Sequence, residues 1–400
     1  MISIKPKILY VSPVLRYPSL GGPNLRVNNS IKVLSTIGHL HLLSIKPLQV
    51  IGGVKATDYY TKQVDHFAFA SSVSPRLVDK LRERFDGRSQ EDKIVTEILA
   101  YVKKNDIDIV WFGYGYLASA IIFKLKPRRK DLKIVCDTDS VWSEYVRRKL
   151  PFVMGTQAKK KIEDKTTKAL EIEKKLLLTT DVLTAVSKVD ADIYQKMVKK
   201  PTAKIETFKN VVDLADYPTM TKFKKYDLII TGSFWEDSPM EKGVRWFLEK
   251  VWKKLYSQRT ETTLLIVGKN ADTVLEDVKL PNVTIKGTVP STSKYFQASR
   301  IALVPLFFES GTRYKILEAG AHKLAVVSTS LGAEGIKVNE KQLLIADKPS
   351  EFLKKTLLLL EDDKKRKKMG KSLYKLVEKN YSLKTAQQEA TAIVSSLITI

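Results

Sequence analysis

The residues from Gly311 to Glu318 combine a glycine, two cations and a carboxylate within eight positions. Gly311 allows the backbone to approach a ligand closely, and Thr312 follows it at the predicted start of a helix, where the first amides have no intrahelical acceptor. Arg313 and Lys315 add positive charge, and Glu318 follows about two helical turns after Gly311. We expect a diphosphate at the loop and paired sugar hydroxyls at the carboxylate.

The flanking sequence predicts the elements that position this stretch. An apolar run at 301–305 predicts a strand, residues 307–311 predict a turn, and 325–329 predict the next buried strand. Ligands of open α/β sheets bind at the carboxyl ends of strands, so the order strand, loop, helix favours a binding site. The alternative interpretation is an amphipathic helix with Glu318 as a surface charge and Gly311 as an ordinary loop residue.

Residues Ser310 to Ile336 resemble the signature block of the retaining GT-B glycosyltransferases. Similarity continues at 7–13, at Asp137–Trp142 and in the final segment that contains Tyr381. The resemblance implies an α/β fold with two Rossmann-like doubly wound domains that face an interdomain cleft. It also implies a nucleotide-sugar donor in the C-terminal domain. Within the group, the stretches Gly311–Ala319 and Asp137–Trp142 most resemble those of a bacterial cell-surface polysaccharide subset.

Two positions depart from the pattern of this group. Many relatives have a glutamate where this chain has Ser310, and Glu309 lies one position early. Many also have a histidine near the reacting sugar, where this chain has Asp137 and Asp139. We therefore take Arg313, Lys315, Asp139 and Glu309 as the catalytic candidates. For the two aspartates, the alternative is a capping turn before the next helix.

Alternating strand and helix patterns divide the chain into two parallel α/β domains. Four hundred residues exceed the size at which one core usually stops growing. We predict an acceptor-binding domain at 1–212, a donor-binding domain at 213–378, and a C-terminal helix at 379–400 that crosses back to the first domain. The one cysteine, Cys136, lies in a predicted buried strand, and no apolar run approaches the ~20 residues that span a bilayer. These features predict a cytoplasmic protein.

Further donor contacts are expected in loops that follow predicted strands. Gly21 and Gly22 precede a helix predicted at 24–36, but a third glycine is missing, which disfavours a nicotinamide enzyme. Arg26 on that helix could neutralise ligand charge, or it could be a surface arginine beside a tight turn. In the second domain, the resemblance implies contacts to phosphate, sugar or base by a further set of residues: Gly232, Ser233, Lys242, Gly268 and Val289.

The composition narrows the list of partners. Four scattered histidines and one cysteine do not indicate a metal site, and we expect no cofactor besides the donor substrate. The formal charge of +25 would suit nucleic acid, but no matching motif or aromatic platform is present. An anionic membrane surface is the preferred explanation. A helix with Leu77, Leu81 and Phe85 would suit peripheral docking, although the same spacing suits ordinary packing.

We therefore expect glycosyl transfer with retained anomeric configuration, from a nucleoside-diphosphate sugar to a glycan, a lipid-linked acceptor or another hydroxyl. The amides at Gly311 and Thr312, together with Arg313 and Lys315, would stabilise the departing diphosphate. Two alternatives stay open. One is a non-catalytic GT-B subunit that binds a partner glycosyltransferase or a glycan, and the other is a nucleotide-sugar epimerase of the same architecture.

Overall fold

A computed structural model describes residues 5–19, 21–73, 89–217 and 224–398. The helix proposed around Leu77, Leu81 and Phe85 lies outside these ranges. The chain divides into two compact units. Unit 1 comprises Met1–Ser19, Pro23–Lys209 and Ala386–Ile400, and unit 2 comprises Leu20–Gly22 and Asn210–Thr385.

Unit 1 contains a seven-stranded sheet in which every neighbouring pair is parallel, in the order β3-β2-β1-β4-β5-β6-β7. Its central strands are buried on both faces, as expected for a parallel sheet covered by helices. The strands are β1 Lys7–Ser12, β2 His39–Ser44, β3 His66–Phe69, β4 Ile109–Gly113, β5 Lys133–Asp137, β6 Val182–Ala185 and β7 Lys204–Thr207.

The helices of unit 1 alternate with its strands. The connections are α1 Gly22–Ile37, α2 Leu48–Ile51, α3 Val54–Thr61, α4 Gln90–Asn105, α5 Ser119–Arg128, α6 Trp142–Arg148, α7 Thr156–Thr179 and α8 Lys188–Met197, with short 3-10 turns at Ser71–Val73 and Leu150–Phe152. A core of strand and helix side chains includes Val110, Phe112, Ile134 and the fully buried Cys136.

Unit 2 repeats this architecture with six parallel strands in the order β10-β9-β8-β11-β12-β13. The strands are β8 Tyr226–Thr231, β9 Leu264–Val267, β10 Val283–Lys286, β11 Ser299–Val304, β12 Ala325–Ser328 and β13 Leu344–Ile345. Both sheets therefore have the doubly wound order of a Rossmann-like fold, which confirms the predicted fold class.

The helices of unit 2 are short before the signature region and longer after it. They are α9 Pro239–Phe247, a π-helix at Leu248–Trp252, α10 Lys253–Gln258, α11 Ala271–Val274, α12 Ser293–Gln297, α13 Tyr314–Ala321, α14 Pro349–Glu361 and α15 Asp363–Asn380, with a 3-10 turn at Leu214–Asp216. The last helix, α16 Leu383–Leu397, begins in unit 2 and belongs to unit 1 from Ala386 onwards. In the described ranges, none of the helices is both long and apolar enough to cross a membrane.

Two glycines of unit 2 allow neighbouring backbone segments to come into close contact at the carboxyl ends of its strands. A Cβ atom added at Gly243 on α9 would lie 1.7 Å from the carbonyl oxygen of Pro305, which follows β11. A Cβ atom added at Gly268 would lie 1.7 Å from the carbonyl oxygen of Gly232. Because only glycine fits these approaches, the loops after β8, β9 and β11 converge.

Candidate functional site

The candidate site residues of unit 2 lie at the carboxyl ends of its strands. Gly232 and Ser233 follow β8, Gly268 follows β9, and Val289 lies three residues beyond β10. The sequence from Glu309 to Glu318 follows β11 and enters α13. In a parallel sheet these strand ends share one edge, which is where ligands of such sheets bind.

Helix α13 begins at Tyr314 without a side-chain cap, since Arg313 occupies the cap position in an extended conformation. Gly311, with φ of 76°, supplies the turn before it. The Arg313 side chain is buried, and its guanidinium donates to the carbonyl oxygen of Leu331 at 2.9 Å. Thr312 is also buried, and its carbonyl oxygen accepts from the Asn210 side chain at 3.1 Å. This loop is therefore fixed from both sides.

Lys315 lies on the first turn of α13 and is held by an uncharged partner. Its Nζ lies 2.8 Å from the sulfur of Met240, on the first turn of α9. Burial lowers the pKa of Lys315 to about 8, although the nearby Glu309 carboxylate opposes this shift. The carboxylate of Glu318 also favours the charged form of Lys315. Lys315 is thus a partly buried cation whose hydrogen-bond partner is an uncharged side chain.

Glu318 lies one turn further along α13 and is also held by an uncharged group. The hydroxyl of Thr292 donates to its Oε1 at 3.2 Å. Burial raises the pKa of Glu318 to about 7, and this hydrogen bond and the charge of Lys315 partly oppose the shift. Desolvation raises the pKa of the partly buried Tyr217 hydroxyl, and the nearby charge of Glu318 raises it further.

Lys242 forms an ion pair within its own segment. It lies on α9, where its Nζ pairs with Asp237 at 2.6 Å. Side chains cap the start of α9: Ser238 accepts from the Glu241 amide at 3.0 Å, and Glu241 accepts from the Asp237 amide at 2.6 Å. Gly232 borders the same helix, since a Cβ atom added there would lie 2.6 Å from Met240.

The remaining donor-side candidates fall in unit 2 as well. Glu309 lies near Lys315, and its Oε1 accepts from the Ser310 amide at 3.3 Å. Gly21 and Gly22 are grouped with unit 2, although Gly22 begins α1. Val289 is partly buried beyond the end of β10. The described ranges contain no cluster of three or more histidine, cysteine or acidic side chains that could hold a metal ion.

In unit 1, Asp137 and Asp139 have different roles. Asp137 ends β5, is fully buried, and forms an ion pair with Arg26, while Thr184 donates to its Oδ1 at 2.7 Å. Asp139 lies just beyond, where burial raises its pKa to about 7 and the Arg26 charge and a hydrogen bond from Tyr114 oppose the shift. Within the described ranges, no group donates to its Oδ1.

Two of the alternative interpretations for unit 1 are wrong. Arg26 is not a surface arginine: its side chain is 2% exposed, because the pair with Asp137 and the carbonyl oxygen of Phe208 at 3.1 Å hold it inside. The aspartates do not cap the following helix either. Helix α6 has no side-chain cap at Val141, and Glu173 from α7 accepts from the Trp142 amide at 2.7 Å instead.

The sequence reasoning missed Met240, Thr292 and Tyr217, which surround the two charges on α13. Thr292 follows β10 in a polar loop, so its position after a strand was a usable signal. Met240 and Tyr217 carry no such signal, since an apolar or aromatic residue near a helix start or in a linker usually indicates packing.

Comparison with known proteins agrees with this arrangement. The family described as Glycosyl transferases group 1 matches residues 225–362. Unit 2 carries a glycosyl transferases group 1 domain. An uncharacterized 44.6 kDa protein in the cps region of Klebsiella pneumoniae is 26% identical over 184 residues, which cover 42% of this chain and 47% of that protein. The matched segment thus spans about half the length of this relative.

Solved structures extend the likeness of the fold to both units. Sucrose-phosphate synthase from Thermosynechococcus elongatus superposes with a TM-score of 0.72 at 16% identity, over 98% of this chain and 99% of that one. Anabaena HepE in complex with UDP and glucose gives 0.68 at 12% identity, over 98% and 99%. The chain with its group 1 domain therefore has the GT-B fold, and family and fold together support glycosyl transfer.

Proposed function

We propose that this protein is a retaining, metal-independent glycosyltransferase that uses a nucleoside-diphosphate sugar. The observation that carries the proposal is the state of Lys315 and Glu318. These opposite charges are three residues apart on one helix, where they could pair with each other. Instead, Lys315 contacts the Met240 sulfur and Glu318 accepts from the Thr292 hydroxyl. Both charges thus stay available for a ligand that has an anionic part and a hydroxyl-bearing part.

The donor would bind with its diphosphate at Lys315 and its ribose at Glu318. The backbone at Gly311 and Thr312, together with Arg313, would complete the phosphate site. An anion beside Lys315 favours its charged form, and two ribose hydroxyls donating to Glu318 favour the carboxylate. HepE, a protein of the same fold, has been crystallised with UDP and with UDP-glucose, which supports this class of donor. Gly232, Ser233, Gly268 and Val289 are the candidates for further sugar and base contacts.

Transfer would proceed at the anomeric carbon of the donor sugar. The bond from this carbon to the diphosphate breaks, and a bond to the acceptor oxygen forms on the same face. The acceptor proton passes to a phosphate oxygen of the leaving group. Lys315 and Arg313 stabilise the charge that develops on that group, so the mechanism requires no protein nucleophile. Glu309 near Lys315, and Asp139 in unit 1, are the candidates for contact with sugar or acceptor hydroxyls.

The acceptor is a glycan, a lipid-linked acceptor or another hydroxyl, and we place the reaction in the cytoplasm. The buried thiol of Cys136 is compatible with a reducing compartment.

The decisive experiment combines a nucleotide-sugar panel with one near-isosteric substitution. Glu318→Gln removes the charge and keeps the size, so we expect donor affinity to fall about tenfold to a hundredfold, the value of hydrogen bonds to a charged group. Glu351→Gln, an exposed position on α14, is the matched control. Calorimetric titration with UDP sugars and mass detection of glycosylated products are the measurements. Equal donor affinity in both variants would refute the role of Glu318.

The same panel separates the proposal from its alternatives. A non-catalytic subunit would neither hydrolyse nor transfer from any donor, whereas an epimerase would convert the free donor without an acceptor. Product that forms only when donor and acceptor are both present, with an α linkage from an α donor, supports the proposal.

A further inference from the structure

Helices α6 and α7 of unit 1 form an antiparallel hairpin. The amide of Trp142, at the start of α6, donates to Glu173, which lies seventeen residues into α7. The connection between the helices must therefore lie at the opposite end of the pair. We call residues 147–161 the hairpin tip, because they include the last turn of α6, the connection and the first turns of α7.

The hairpin tip extends beyond the core of unit 1. None of the residues 156–168 on α7 is buried, and the first buried side chain of this helix is Ala169. At 1.5 Å per residue, about 20 Å of helix thus passes without a fully buried side chain. Only Ala158, Ile162 and Thr166 in this segment are partly buried, so it gains less from packing than the rest of α7.

The end of the hairpin tip exposes apolar side chains. Met154 is 88% exposed, the highest value among the large hydrophobic residues of the described ranges, and Phe152 beside it is 36% exposed. Gly155, with φ of 83°, then turns the chain into α7. Two neighbouring apolar side chains are thus accessible to a partner at the end of the hairpin tip.

Cations flank this apolar end on both sides. The hairpin tip contains Arg147, Arg148 and Lys149 before the apolar residues and Lys159–Lys161 after them, six cations, and it contains no acidic residue. Glu144 pairs with Arg147 at 2.6 Å and with Arg148 at 2.7 Å, so it offsets one of these charges. The three lysines at the start of α7 are exposed.

We propose that the hairpin tip docks on an anionic lipid bilayer. Met154 and Phe152 would enter the interfacial region, and Lys149 and Lys159–Lys161 would lie against the anionic headgroups. A second copy of the chain fits poorly, because a symmetric contact would bring two sets of six cations together. Nucleic acid fits poorly as well, since the end carries one aromatic ring and no stacking series. This inference goes beyond glycosyl transfer and does not depend on it.

Vesicle cosedimentation of the full chain provides the first test. The probes are phosphatidylcholine vesicles with and without about one third phosphatidylglycerol, at low and high salt. Each lysine near an anionic surface contributes about fivefold in affinity, so the triple variant Lys159→Gln, Lys160→Gln, Lys161→Gln should lose roughly a hundredfold. The matched control, Lys364→Gln, Lys365→Gln, Lys368→Gln on α15, has the same net charge and exposed positions. It should bind within a few-fold of the unmodified chain.

A fluorescent label tests whether the apolar end enters the bilayer. Since the one natural cysteine, Cys136, is fully buried, Met154→Cys creates a single accessible thiol for an environment-sensitive dye. Lys199→Cys, an exposed position elsewhere in unit 1, is the control. Anionic vesicles should shift the emission of the label at position 154 to the blue and leave the label at 199 unchanged.

Each remaining outcome would overturn the proposal. These outcomes are no binding to anionic vesicles at low salt, equal losses in the two triple variants, and equal emission shifts at the two labels. Concentration-dependent dimers that the Lys159–Lys161 variant abolishes would assign the surface to a second copy. Binding to single-stranded DNA in preference to vesicles would assign it to nucleic acid. Because the assays need no donor, failure of glycosyl transfer would leave their interpretation intact.

Discussion

Replacing Lys315 with methionine should stabilise the protein without ligand and weaken its binding of the donor. In the absence of a ligand, Lys315 is a partly buried ammonium whose nearest contact is the sulfur of Met240 at 2.8 Å. Methionine has a similar length and volume, so Lys315→Met removes the charge and largely keeps the packing. The two effects have opposite signs only if the charge is kept for a ligand.

The pKa of Lys315 sets the size of the effect. A fall from the ordinary value of 10.5 to about 8 corresponds to about 3 kcal/mol of unfolding free energy. Since the side chain keeps some contact with solvent, we take about half of this value, about 1.5 kcal/mol. The folded protein binds fewer protons than the unfolded chain between pH 8 and pH 10.5. The cost is therefore complete below pH 8 and disappears as the pH rises through this window, where the variant should lose its advantage.

Scanning calorimetry at pH 7 and pH 10 measures this difference. For a unit of 150–250 residues, about 1.5 kcal/mol corresponds to a rise in Tm of about 3 to 6 °C. At pH 7, added UDP should raise the Tm of the unmodified protein and have little effect on the variant. Lys364→Met, at an exposed position on α15, is the control for a lost surface charge. A Lys315→Met protein that is less stable at pH 7, or that binds UDP with unchanged affinity, would refute the reasoning.

Three further predictions concern the buried or partly buried carboxylates Glu318, Asp137 and Glu173 and their contacts. Thr292→Val should raise the donor KM about tenfold through the orientation of Glu318, with Thr292→Ser restoring the affinity, as steady-state kinetics can show. Arg26→Met leaves the buried Asp137 carboxylate without a cation, so chemical denaturation should show a loss of about 3 to 5 kcal/mol that Asp137→Asn in the same chain partly restores. Burial raises the pKa of Glu173 to about 7, so its ionisation destabilises the fold as the pH rises from 4.5 to 7. Glu173→Gln should therefore gain stability at pH 8 and gain little at pH 4, and an equal gain at both would contradict this.

Elements with a strong local signal could be predicted from the sequence, and those without one could not. The strand predicted at 325–329 and the helix predicted at 24–36 agree with β12 and α1 to within two residues, because an apolar run or a helical period marks them clearly. The first three turns of α7, which begins at Thr156, have no such signal, because none of the side chains at 156–168 is buried in the core.

The partners of the candidate site residues were harder to predict than the residues themselves. Arg26 pairs with Asp137, which is 111 positions away, so only the fold could show that this arginine is buried. Met240 and Lys315 are 75 positions apart and meet because α9 and α13 both begin at the same edge of the sheet. The spacing of residues along the chain predicts contacts within one helix or turn, whereas these long-range contacts depend on the order of the strands in the sheet.

The charges of Arg26 and Asp137 have a structural role, whereas those of Lys315 and Glu318 suit a ligand. Arg26 and Asp137 close on each other inside unit 1, which satisfies both charges without a ligand. Lys315 and Glu318 have the spacing for an ion pair on one helix, yet each contacts an uncharged side chain. Keeping two opposite charges partly buried and apart costs folding free energy, as their shifted pKa values indicate. A ligand with a diphosphate and a sugar diol would satisfy both groups at once, and that requirement explains why an arrangement that reduces stability is built into α13.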